Sequence, residues 1–261
     1  MSKTFTLSIP KELSGISLRQ YQKYIKTVKY EEGKEPTKEE IDFANVKLLE
    51  CFCGITLKQA YDLPLTEFSG IIAHIAELFK ENTPLQRTFE MTDPKGVTVK
   101  FGFIPKLDDI SLGEFIDLDK YISDWQEMHK ALAVLYRPVV FEKKELYLIE
   151  DYEGSDKYSD VMLDAPVNVA LGATVFFLPF RQRVVETYDG LFGESVEGGL
   201  GASANFGAKW GWYQSIYGLA QGDPTKFKDV TKLSLFQCLT WLEFEKEKNE
   251  LERKMIKQNT R

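Results

Sequence analysis

The side chains that could do chemistry in this chain are few: three cysteines, two histidines, a short run of carboxylates and one glycine-rich loop. Cys51 and Cys53 flank Phe52 inside a helical run, so their thiols point to different sides of the helix, and Cys238 is far away in sequence. No disulfide is expected from that arrangement. An odd count behind a start, MSKTFTLSIPKEL, that lacks a secretory apolar core points instead to a reducing compartment and to thiols acting as small buried groups. A metal would need more ligands than Cys51 and Cys53, and His74, the nearest candidate, is unsuitably spaced. His129 stands without a cysteine or second histidine that could complete a nucleophile and base pair. Asp108, Asp109, Asp117 and Asp119 cluster, but at and behind a helix start, where capping and solvation are the expected roles. Arg137, before Pro138, is a candidate for burial and pairing, and one arginine makes no active site. Gly198-Gly199-Leu200-Gly201-Ala202-Ser203 lacks the Lys-Ser or Lys-Thr of a phosphate-binding loop and reads as a linker. The expectation is therefore no catalytic residue, no metal and no cofactor.

Composition sets the wider limits. At 261 residues, with 43% hydrophobic and 13% aromatic content, the chain can bury a sizeable core. A net charge of -7 argues against nucleic acid as the main partner, because phosphate binding needs a surplus of Lys and Arg on one face. The most apolar run, Ala165 to Phe180, is shorter than the roughly 20 residues that span a bilayer, and Asn168 and Pro179 interrupt it. It reads as a buried core helix, and no membrane partner is expected.

The elements follow from local signals. Phe5, Leu7 and Ile9 alternate with polar residues and predict a short strand ending at Pro10. Ser17 with Gln20, and Thr37 with Glu40, have capping-box spacing and open helices near 17–28 and 37–52, the second presenting Ile41, Ala44, Leu48 and Cys51. Thr56, and then Thr66 with Glu67, precede further turns, the longer carrying Phe68, Ile71, Ile72, Ile75 and Phe79. The period then changes. Phe89 and Met91, a turn at Asp93-Pro94-Lys95-Gly96, and Val97, Val99, Phe101 and Phe103 predict one β-hairpin; Val139 to Phe141, Lys143-Lys144 and Leu146 to Ile149 predict a second. With the first strand they would form one small antiparallel sheet. Trp125, Met128, Leu132 and Leu135 recur at helical spacing and should face the core. A long apolar helix is expected from about Pro166 to Tyr188, a short aromatic helix around Trp210, Trp212, Tyr213, Ile216 and Tyr217, and a last helix from about Leu233 to Lys257. Ile16-Ser17-Leu18-Arg19-Gln20, Ile55-Thr56-Leu57-Lys58-Gln59 and Ile110-Ser111-Leu112-Gly113-Glu114 echo one another as repeated use of one capping device. The fold class is thus α+β, predominantly α-helical, with a small antiparallel β-hairpin element. Its organisation reads as a main helical domain over 1–195 with hairpins near 85–105 and 139–150, a glycine-rich linker over 196–207, and a C-terminal helical region over 208–261.

The stretch FGFIPKLDDISLGEFIDLDKYISDWQEMHKALAVLYRP (residues 101–138) and the later FKDVTKLSLFQCLTWLEFEKEKNELE resemble proteins of tailed bacteriophages, tail assembly chaperones or virion-associated proteins. The parts that carry it are 102–105, 118–121, Trp125, 128–130, 136–138, 227–233 and 241–248, a likeness of order and texture. It implies a non-enzymatic protein that holds the long, hydrophobic tape measure protein in solution in the host cytoplasm until the tail tube assembles around it. The chain is large for such a chaperone, which keeps open a structural component of the tail, neck or baseplate, or a packaged internal protein. Beyond the tape measure protein or another tail protein, a second copy of the chain is a candidate partner. The partner surface is expected on the C-terminal helix, where Phe244, Leu251 and Met255 stand among Glu and Lys residues, or on the aromatic faces near Phe115 and Trp212.

Overall fold

In a computed structural model that describes residues 7–30, 33–92, 96–144, 146–192 and 202–259, the helix starts lie where hydroxyl residues precede Gln or Glu by three. Ser17 opens α1 (Leu18–Thr27), its N–H donating to Gln20 Oε1 at 2.8 Å while the Gln20 N–H donates back to Ser17 Oγ at 3.3 Å. Thr37 and Glu40 repeat the exchange at α2 (Lys38–Cys53), and Thr56 and Gln59 at α3 (Leu57–Asp62). Each satisfies donors that the first helical turn would otherwise leave bare. α2 ends on Gly54 at φ 68°, a left-handed position that glycine takes without strain. α4 (Leu65–Leu78) starts behind Pro64 with no side-chain cap, so Thr66 and Glu67 lie inside the helix and not before it.

Two hairpins follow the expected pattern. β1 (Thr88–Thr92) and β2 (Thr98–Phe103) pair antiparallel, Phe89 opposite Phe101; Asp93 to Lys95 of the predicted turn lie outside the described residues. After α5 (Leu112–Tyr121) and α6 (Met128–Leu135) the chain passes directly into β3 (Tyr136–Lys143), then β4 (Leu146–Ile149). The sheet order is β1-β2-β3-β4, with a bulge in β3 between Val139 and Phe141. The expected N-terminal strand is absent from its described part: residues 7–10 carry no strand, and Phe5 lies outside the described residues. The two hairpins pair with each other through β2 and β3, so the sheet reaches four strands without Leu7 and Ile9.

One face of that sheet is aromatic. Phe89, Phe101, Phe103 and Tyr136 are buried, with ring centroids 5.1 to 5.7 Å apart, and the Tyr136 hydroxyl donates to the Gln86 carbonyl at 2.7 Å. On the other face Tyr147 lies over Gly102, where an added Cβ would come within 2.7 Å of its ring, so only glycine admits the tyrosine there. Arg137 is buried as its place before Pro138 suggested, donating to the carbonyls of Glu150 (2.7 Å) and Val134 (2.8 Å). Met128, Leu132 and Leu135 are buried as expected, but Trp125 precedes α6 and is half-buried, packed edge-on against Tyr21.

The remaining helices are α7 (Asp156–Met162), α8 (Val167–Thr187), α9 (Asp189–Phe192), α10 (Ala202–Leu219), α11 (Phe227–Thr231) and α12 (Leu235–Asn259). Of the expected linker, 196–201 lies outside the described residues, and 202–207 is helix, the first turns of α10. α10 is kinked at Gly211, whose φ of 33° no side-chain-bearing residue adopts readily. The chain forms two units, each discontinuous in sequence: Met1–Phe103 with Tyr121–Phe176, and Ile104–Lys120 with Phe177–Arg261. In the first, Ile16, Leu49, Phe52, Ile55, Ile75 and Val167 form a core; in the second, Phe115, Phe177, Phe180, Leu235 and Leu239 do. α8 belongs to both, and only one of its faces is covered, since Val175, Phe176 and Leu178 are exposed. No helix among the described residues is long and apolar enough to cross a membrane.

Each unit contains the same joint. Ser17 bridges Pro166, with the Leu18 N–H donating to the Ala165 carbonyl and the Val167 N–H to the Ile16 carbonyl, both at 2.8 Å. In the other unit Ser111 bridges Ser234, the Leu112 N–H reaching the Leu233 carbonyl and the Leu235 N–H the Ile110 carbonyl, both at 2.9 Å. Two helix starts are thus sewn together. The flanking residues make the bonds, and the middle N–H of Ser17 goes to its own capping partner, so a proline can stand opposite it at 166 without losing a hydrogen bond.

Candidate functional site

The three cysteines and two histidines each occupy a packed or hydrogen-bonded place. All three cysteines are free and buried, and burial pushes the thiols of Cys53 and Cys238 up to about 11. His74 Nε2 donates to the Pro10 carbonyl at 2.9 Å. His129 has Nδ1 3.3 Å from Gln22 Nε2, and burial lowers its pKa, which favours the neutral ring. Among the described residues no group of three or more His, Cys, Asp or Glu is placed to hold a metal.

The carboxylates behave less uniformly than their spacing suggests. Glu114 is buried and takes the N–H and hydroxyl of Ser111 at 2.7 and 2.8 Å. Asp119, expected to face solvent, is half-buried: it accepts Arg181 Nε at 2.6 Å and the Trp212 indole N–H at 3.2 Å. Nothing in α5 alone reveals this, because both partners come from other helices. The hint in the sequence is positional, since Asp119 follows Phe115 by four and so borders the apolar face.

That network decides two of the residues expected to bind a partner. Phe115 is 1% exposed, packed edge-on against Trp212 (centroids 5.8 Å) and against Phe177 and Phe180. It is a core residue and is corrected as such: a phenyl buried among Phe177, Phe180 and Trp212 cannot meet a partner in this fold. Trp212 is half-buried, held by Phe115, Phe192 and Asp119. The two residues are brought together, but as packing.

α12 is different. Leu235, Cys238 and Leu239 are buried and anchor its first turns. From residue 247 to 259 every position is exposed. Phe244, Leu251 and Met255 are 60%, 58% and 55% exposed, and with Trp241 and Lys248 they recur at alternating three- and four-residue steps. That is the a and d spacing of a helix-pairing seam, interrupted once by a lysine. Glutamates and lysines flank it, with Lys248 3.5 Å from Glu245.

Comparison with protein-family models, with curated proteins and with solved structures returns no match. The site is defined by its geometry. The arrangement can bind an apolar helical surface; it assembles no nucleophile, base and acceptor in one place among the described residues.

Proposed function

We propose that this chain is a non-enzymatic binding protein of bacteriophage tail morphogenesis, a tail assembly chaperone that keeps the tape measure protein soluble. The observation that carries the reading is the seam on α12: apolar side chains in register on a helix whose last turns are exposed on all sides. Such a stripe stays in water only if charged neighbours keep it soluble, and it suits another amphipathic helix as occupant. A long helical apolar client fits that requirement. The choice of client rests on the resemblance read in residues 101–138 and 227–252.

The test is co-expression with the tape measure protein of the same phage, comparing the full chain with one ending before Asn249. The full chain should hold the client in the soluble fraction and the shortened one should not, with melting temperatures nearly equal because every described residue removed is exposed. Equal solubilisation by both would overturn the reading. Mass spectrometry of purified particles separates it from a structural role: a chaperone is absent from finished virions, a tail, neck or baseplate component is present stoichiometrically.

A further inference from the structure

We propose that the edge of β4 left unpaired among the described residues is a docking edge for a second copy of this chain, which pairs β4 antiparallel with β4 about a two-fold axis at Tyr147. This inference is independent of the client bound by α12.

β4 is an outer strand of the sheet. Edges of this kind are usually blunted by a lysine, a proline or a bulge. The bulge here lies in β3, and the four residues of β4, Leu-Tyr-Leu-Ile, contain no charge. β1, the opposite edge, is by contrast Thr-Phe-Glu-Met-Thr. The Glu150 N–H donates to the Pro138 carbonyl, so alternation turns the backbone groups of Leu148 and Leu146 towards β3 and those of Tyr147 and Ile149 outwards. Leu146 and Leu148 are 76% and 59% exposed on one face, beside the exposed Phe141, which pairs with Leu148. The far face is already engaged, with Tyr147 donating to the Phe103 carbonyl at 2.8 Å.

Self-pairing needs outward residues opposite outward residues, which limits the registers. Centred on Tyr147, Leu146 of each copy falls opposite Leu148 of the other. Shifting the centre to Leu148 would place Leu146 opposite the partner's Glu150 instead. The charges agree with the first register. Lys143 and Lys144 stand at the turn end of the hairpin, and Glu150 and Asp151 follow the other end, so antiparallel pairing brings basic against acidic at both limits. Glu150 is shared with Lys157 (2.7 Å) and Tyr158, which leaves Asp151 as the exposed acid. A four-residue pairing buries only a few hundred Å² per copy, below the roughly 800 Å² of tight interfaces, so the dimer is expected in the micromolar range.

Sedimentation of the full chain up to about 100 μM tests it. The mass should rise from one chain of 30.0 kDa to two. Leu146→Lys with Leu148→Lys places like charges opposite each other and should abolish the rise. Leu146→Lys with Leu148→Glu, equally polar, restores opposite charges at both leucine pairs of this register, whereas the Leu148-centred register would set the two new carboxylates against each other, and it should bind roughly tenfold more tightly than the double lysine variant. Far-UV circular dichroism confirms that both variants fold. The chain ending before Asn249 should dimerise as the full chain does, so failure of this proposal is distinct from failure of the client-binding one. A monomer at every concentration, a double lysine variant that dimerises like the parent, or a Lys/Glu variant no tighter than the Lys/Lys one would overturn it.

Discussion

The two sewn helix starts, Ser17 with Pro166 and Ser111 with Ser234, use one backbone geometry with different side chains around it. In the first, Gln20 closes the capping box and its amide also donates to the Cys51 carbonyl at 3.0 Å, tying α1 to α2. In the second the corresponding residue is the buried Glu114, engaged with Ser111 on backbone and side chain. The position before each is Arg19 in one and Gly113 in the other. Arg19 is exposed and donates to Asp164 at 2.8 and 3.2 Å, whereas a Cβ on Gly113 would stand 3.0 Å from the Thr231 carbonyl. The backbone joint is what the two units share, and each surrounds it according to how closely the next helix approaches. Leu57 of the third copy sharpens the contrast, for Thr56 makes its capping box but forms no bridge among the described residues, and Leu57 is exposed.

The largest effect should come from the leucines of the joints. Leu18 and Leu112 are fully buried, and truncation of either to alanine should destabilise by about 2 to 5 kcal/mol, while Leu57→Ala should cost about 1 kcal/mol or less. Urea unfolding reads all three; equal losses at Leu57 and Leu112 would dissolve the distinction between a paired and an unpaired start. If the two units unfold separately, each substitution should move a different transition.

Next in size is thiol reactivity, which should be alike in the two units. With Cys53 and Cys238 pushed up from 9.0 to about 11, the thiolate fraction near pH 8 falls roughly 100-fold even before access is considered. Ellman's reagent should find no fast thiol in the folded protein and three after denaturation. The sign for stability follows: a raised acid pKa contributes fully below pH 9 and is lost as pH climbs from there towards 11. Stability that stayed flat over that window would remove burial as the cause.

Smaller differences should separate the caps. Ser111→Ala takes the hydroxyl donor from a buried carboxylate, and the acceptor from the Glu114 N–H, and should cost up to about 2 kcal/mol, whereas Ser17→Ala, beside a neutral amide with a second partner, should cost about 1 kcal/mol. Thermal melts of the pair decide it, and identical shifts would mean that the charge of Glu114 is irrelevant. The smallest change belongs to Arg19→Ala, where both partners of the ion pair are more than half exposed; its expected cost is below about 0.5 kcal/mol.

Much of this was legible in the residues. Each helix start with a hydroxyl and a Gln or Glu three positions later was readable because capping is a contact within one turn, and both hairpins were readable because strand alternation and a turn are local too. The fourth copy of the device, Leu233-Ser234-Leu235-Phe236-Gln237, is equally plain in the sequence, but it gains meaning only opposite Ser111. The docking candidates divided along the same line. Phe244, Leu251 and Met255 kept their exposure because charged neighbours on their own helix hold that face in water. Phe115 lost its exposure to Phe177, Phe180 and Trp212, none of which lies on α5.

By itself, then, the sequence determined the α+β class, the two hairpins and the sites where helices begin, all governed by residues within a few positions of each other. Only the tertiary structure decided that β2 and β3 join the hairpins into one sheet, that α1 starts against α8 and α5 against α12, that Asp119 serves Arg181 and Trp212, and that β4 is left at the edge. The physical reason is common to all four: a capping box or a turn closes by hydrogen bonds along the chain, whereas a bridge, a half-buried ion pair or a strand edge depends on which distant apolar surfaces are buried together.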